Sequence, residues 1–170
     1  MKEQTADLGR HHRPSHSPSR IHWGAAVWAG IIAGLVFMMA EMLMVWMFLG
    51  ESPWGPPRMI AAMVLGREVL PPPADFALVP MMVAMVIRFM LSIVYGLVIG
   101  FAMRSLGMGK ALIGGAVFGL LAVYMINFHL IAPLLSPWFT RQQNWVSVVT
   151  HVLFGMVLAG SYVALRDRRH

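Results

Sequence analysis

Apolar residues run nearly unbroken through four stretches, 21–49, 76–103, 111–131 and 145–165. At about 1.5 Å per helical residue each can cross roughly 30 Å of hydrocarbon. The pattern therefore predicts an all-α fold, an antiparallel four-helix transmembrane bundle. Between the first two stretches, Glu51-Ser52-Pro53-Trp54-Gly55-Pro56-Pro57 forces a turn, because the prolines remove donors and fix the backbone. The segment 58–70 mixes Met59, Ile60, Met63, Val64 and Val69 with Arg58, Arg67 and Glu68, which suits a short interfacial helix on the outer side. Pro71-Pro72-Pro73 ends it, and Asp75 is placed to cap the second span. The glycine-containing link 105–110 is short, so spans two and three are expected to be antiparallel neighbours.

Small residues recur at a spacing of four on every span. Gly30 and Gly34, Gly96 and Gly100, Gly115 and Gly119, and Gly155 with Ala159 each share one helix face and allow backbones to approach. All four pairs lie in the same half of the membrane, which predicts a tight half and leaves the other half to bulkier and more polar residues. There, Glu41 lies roughly 10 Å deep, Arg88 about 16 Å, His151 about 9 Å, and Asn127 and His129 a few Å. A crevice opening outward is expected, with Glu41 and Arg88 closing its floor. These are the two charges carried deep inside long apolar runs. An ionised group at such depth costs several kcal/mol unless paired or hydrated, so each calls for the other. The pair can serve to specify how spans one and two meet. Alternatively, Arg88 can bind a carboxylate, phosphate or lipid headgroup while Glu41 orients it or relays a proton.

Composition agrees with the pattern: of 170 residues, 58% are hydrophobic and 12% charged, which places the chain outside ordinary soluble domains. The formal charge of +6 does not point to nucleic acid, because the basic residues sit at span ends. Lys2, Arg10, Arg13, Arg20, Arg104, Lys110, Arg166, Arg168 and Arg169 all fall on one side of a four-span topology. Arg58, Arg67 and Arg141 on the other side are offset by Glu51, Glu68 and Asp75. Both termini are thus expected in the cytoplasm. Residues 1–19 read as a disordered basic, His-rich tail, 20–166 as the membrane domain and 167–170 as a second basic tail. Trp23 and Trp28 near one boundary, and Trp54, Trp138 and Trp145 near the other, fit aromatic belts.

No catalytic constellation, cofactor or metal set is assigned. Cysteine is absent, which removes disulfides and thiolate ligands. His129 and His151 would need compatible heights to hold haem or a metal ion, and their depths differ. Hydrogen bonding between spans three and four, with Asn127 or Tyr124, is the simpler expectation. A thioether path along Met38, Met39, Met42, Met44, Met47, Met81, Met82, Met85 and Met90 could pass Cu(I). The chain has sixteen methionines, with some in every span, and they read more simply as apolar filler.

The run Tyr124-Met125-Ile126-Asn127-Phe128-His129, with Ser136-Pro137-Trp138-Phe139, Arg141 and Asn144-Trp145, resembles a group of small, functionally uncharacterised bacterial inner-membrane proteins with four transmembrane helices. The resemblance covers mainly spans three and four. It implies a bacterial cytoplasmic membrane, carries no activity with it, and does not extend to Glu41 and Arg88. Taken together, the readings favour a small accessory or structural component of a membrane assembly, contacting lipids and a homo-oligomer or larger complex. A small-solute, ion or lipid transporter acting as an oligomer and a haem- or quinone-associated redox protein are the alternatives.

Overall fold

A computed structural model describes residues 21–70, 72–131, 138 and 143–168. The tail expected over 1–19, the residues 169–170, Arg141 and the segment around Pro133 to Pro137 lie outside the described residues. Among the described residues the regular elements are all helices, with no strand. Four helical segments are long and apolar enough to cross a membrane: Trp23–Leu49, Leu78–Ala102, Met108–Leu130 and Trp145–Asp167. The protein is an all-α four-helix transmembrane bundle.

Span one is α1 (Trp23–Met44), whose last turn widens to a π-helix over Val45–Leu49. Gly50, at φ 66°, then ends it in the left-handed conformation open to glycine. The short helix α2 runs Gly55–Leu65, earlier in the chain than 58–70. Pro56 and Pro57 fit its first turn, where an amide hydrogen has no helical partner anyway, and Gly66 at φ 86° stops it. A single 3-10 turn, Arg67–Val69, follows. Rather than simply lying on a surface, α2 buries Ile60, Ala61 and Ala62, and Ile60 and Ala61 pack with Ala84 of the next span.

Span two is α3 (Leu78–Ala102). Ala77, not Asp75, occupies its N-cap and no side chain caps it; the Asp75 amide instead donates to the Pro73 carbonyl. Span three begins as α4 (Met108–Phe118) and continues as a wider π-helix over Gly119–Ile131. Span four is α5 (Trp145–Asp167), where Asn144 Oδ1 accepts the Ser147 amide at 3.0 Å, a cap of about 1 kcal/mol. At its other end Arg166 Nη1 donates to the Arg104 carbonyl at 2.9 Å and so satisfies the chain leaving α3.

The order of packing differs from the expectation for the short link. α1 packs along α3 on one side and α5 on the other, and α5 packs along α4. Spans two and three, joined by the short link, do not run against each other along their backbones. They meet through the side chains of Tyr95, Phe118 and Asn127 and at Met103 against Gly114. The reason lies in the small residues, because lipid-immersed helices associate where backbones can approach closely. A Cβ built on Gly30 would stand 2.6 Å from the Ser92 carbonyl oxygen, and one on Gly96 would strike the Ala26 carbonyl. Gly115 and Gly155 face each other's carbonyls in the same way across α4 and α5. The remaining partners, Gly34, Gly100, Gly119 and Ala159, lie along these two seams. The alanines of α1, Ala25, Ala26, Ala29 and Ala33, are fully buried and keep the central helix thin.

Candidate functional site

Beyond the glycine seams the bundle widens, and aromatic rings occupy its interior. Phe37 of α1, Phe154 of α5, and Tyr124 and Phe128 of the π-helical stretch of span three are all buried. Phe37 stands edge-on to both His151, at 4.8 Å between centroids, and Phe154, at 5.5 Å. Where the polar pattern predicts a crevice, the structure places this ring cluster.

Glu41 and Arg88 meet at its margin. Arg88 Nη2 donates to Glu41 Oε2 at 2.6 Å, with 5% of the glutamate side chain and 14% of the arginine side chain exposed. The guanidinium also lies over the face of Phe37, 4.2 Å from the centroid. The arginine therefore has a carboxylate along its edge and the negative face of a ring beneath it, two forms of compensation that substitute for water. Their apparent difference in depth is absorbed by the length of the arginine stem. Glu41 faces inward from α1 because it lies one turn beyond Phe37 on the same helical stripe.

His151 is 6% exposed and enclosed by Phe37, Tyr124 and Phe128. Its Nδ1 lies 2.7 Å from the Ser147 carbonyl oxygen, one turn back on its own helix, so a proton on Nδ1 is donated there. That bond is within α5 and does not join spans three and four. Asn127 likewise turns away from span four: its Oδ1 accepts the Tyr95 hydroxyl of α3 at 3.3 Å. His129 is exposed, and its ring lies edge-on to Tyr124, 6.3 Å between centroids. Buried His151 and exposed His129 thus lie in different surroundings, each touching Tyr124. Among the described residues, no three His, Cys, Asp or Glu side chains gather where they could hold a metal ion.

Tyr95 was not singled out by the sequence pattern. It also contacts Phe118 and Phe154, at 5.9 and 6.1 Å, and so bridges α3 to α4 and α5. Its position one residue before Gly96, in a run of apolar residues, offers no signal that separates a bridging tyrosine from a lipid-facing one. Phe37 was missed for a similar reason, since a lone phenylalanine in an apolar run is indistinguishable from filler. The i to i+4 relation between Phe37 and Glu41 was the available clue.

The arrangement can hold two opposite charges largely out of solvent and brace α3 against α1. Comparisons with protein-family models, with curated proteins and with solved structures find no match for this chain.

Proposed function

We propose that this protein is a multi-pass component of a bacterial inner membrane with both termini in the cytoplasm, serving as a small accessory or structural subunit of a membrane assembly. The observation that carries the reading is the closed Glu41–Arg88 contact, covered by Phe37. A buried pair of this kind specifies which helices meet and in what register. It leaves little of either charge facing outward. The orientation is supported by Arg104, Lys110, Arg166 and Arg168, which flank the span ends on one side, against Arg58 and Arg67 balanced by Glu51, Glu68 and Asp75 on the other. On this reading 20–166 is one membrane domain between two basic tails.

A place for partners is supported by α3, of whose most apolar window only 22% is buried. Val79, Met82, Val86, Met90, Val94 and Phe101 form an exposed stripe along it. The stripe suits lipid chains or another helix. Native mass measurement after purification in mild detergent tests the proposal. A fixed complex, weakened when Val86 and Met90 are replaced by tryptophan, is the expected result. A protein that stays monomeric and carries only lipid in every mild detergent contradicts it.

A second reading, transport by an oligomer, draws on the separation of α3 and α4, bridged by Tyr95 and Asn127. It requires water to reach Arg88. Labelling of Tyr95→Cys, at the bridge between α3 and α4, by a membrane-impermeant thiol reagent separates the two, since the accessory reading leaves that position unreactive in hydrocarbon.

A further inference from the structure

We infer that the end of the bundle carrying α2 holds a binding site for a phosphate group, formed by Arg58 and Arg67 around Trp138. A cavity of about 110 Å³ opens there, lined by Gly55, Arg58, Met59, Leu70, Ala74 and Trp138. Its walls are tied in place. Ser52 Oγ donates to the Ala74 carbonyl and accepts the Trp54 amide at 3.3 Å, and Trp54 packs edge-on against Phe76 at 5.0 Å. The Trp138 indole donates to the Met59 carbonyl at 3.4 Å.

Among the described residues, the charges around this cavity lack their usual compensation. Arg58 Nη1 donates to the Pro73 carbonyl at 2.9 Å, while its Nε is buried with no partner. An unpaired buried donor of this type carries the full cost of desolvation. Arg67 stacks on Trp138, 4.9 Å from the ring, and is otherwise exposed. Glu51, Glu68 and Asp75 are exposed, and among the described residues none forms an ion pair with either arginine. The start of α2 adds no free amides, because Gly55 and Arg58 donate to Ser52 and Trp54 and the two residues between them are prolines.

Guanidinium is therefore the recognising chemistry. Its planar fork matches phosphate oxygens, and a ring stack fixes one fork without consuming its donors. The site lies between the end of the first span at Leu49 and the start of the second at Leu78, so the phosphate can be that of an anionic lipid or of a small soluble ester. Both present the same oxyanion.

Protein in mild detergent is exchanged into nanodiscs of phosphatidylcholine with or without phosphatidylglycerol, and retained lipid is counted by native mass spectrometry. In parallel, inorganic phosphate is titrated and followed by ³¹P line broadening. Retention of phosphatidylglycerol that falls about tenfold in Arg67→Gln assigns the headgroup. Phosphate binding that weakens by the same factor without lipid retention assigns the soluble source. Because Arg67 is exposed, Arg67→Gln is expected to fold normally, and Arg67→Lys tests whether charge without the fork suffices. Arg58→Gln is the second variant, read alongside its melting temperature. If neither probe binds, or if both bind equally well to wild type and Arg67→Gln, the inference is overturned.

Discussion

α3 has two kinds of neighbour. Against α1 its backbone comes so close that a Cβ at Gly96 has no room, and the Glu41–Arg88 pair closes the same contact nearer its other end. Towards α4 it reaches only by side chains: the Tyr95 hydroxyl on Asn127 at 3.3 Å, a ring contact with Phe118, and Met103 against Gly114. The first contact is continuous, largely buried and charged; the second is intermittent and neutral. The contrast shows that in lipid, where apolar burial between helices brings little advantage, proximity follows the small residues and not the length of the connecting loop.

Removing the charge at Arg88 should break the close contact most severely. Arg88→Met leaves Glu41 buried beside Phe37 without its partner, at an expected cost of about 3–5 kcal/mol. Unfolding by detergent titration measures it. The double variant Glu41→Gln with Arg88→Met should recover part of the loss, with a coupling of about 1–3 kcal/mol. Two harmless single substitutions would show that the pair does not hold α1 to α3.

Packing comes next. Gly96→Val drives two methyl groups towards the Ala26 carbonyl and should cost about 1–3 kcal/mol in the same titration. A wild-type midpoint there would mean that the helices can separate without penalty.

A sharper comparison uses adjacent glycines on α4. Gly115→Ala presses a methyl group onto the Gly155 carbonyl and Ala159, and should destabilise by about 1–2 kcal/mol. Gly114→Ala meets only the tip of Met103, a flexible side chain, and should stay within about 0.5 kcal/mol of wild type, helped by the better helix propensity of alanine. Equal losses at the two positions would contradict the difference between the α4–α5 seam and the α3–α4 gap.

The smallest effect is expected at the bridge. Tyr95→Phe removes one neutral hydrogen bond and should cost about 0.5–1.5 kcal/mol. Its clearer signature is local: faster amide exchange around Asn127 with that near Gly30 unchanged. Acceleration at both places would tie the bridge to the close contact and erase the distinction.

Much of this architecture was legible along the chain because its causes are local. Apolar runs of sufficient length become spans whatever surrounds them. Glycines four apart mark a face that a helix can approach. Two isolated charges at depth demand compensation, and the positions of Glu41 and Arg88 on the first two spans made their contact readable before any coordinates. The start of α2 could also have been anticipated from Pro56 and Pro57, which belong in a first helical turn, and its end from Gly66.

What lay beyond the sequence was relational. Which seam joins which helix depends on how four similar small-residue faces share the available neighbours, and a short loop between spans two and three biased the expectation towards a contact that α1 and α5 occupy instead. The enclosure of His151 by Phe37, Tyr124 and Phe128, and the turn of Asn127 towards Tyr95, depend on the phase of the π-helical stretch after Phe118. Spans, seams and the need for a charge partner are thus properties of the sequence, since they follow from solvent and spacing. Neighbour order and the company each polar side chain keeps are decided only when the helices compete for one another in three dimensions.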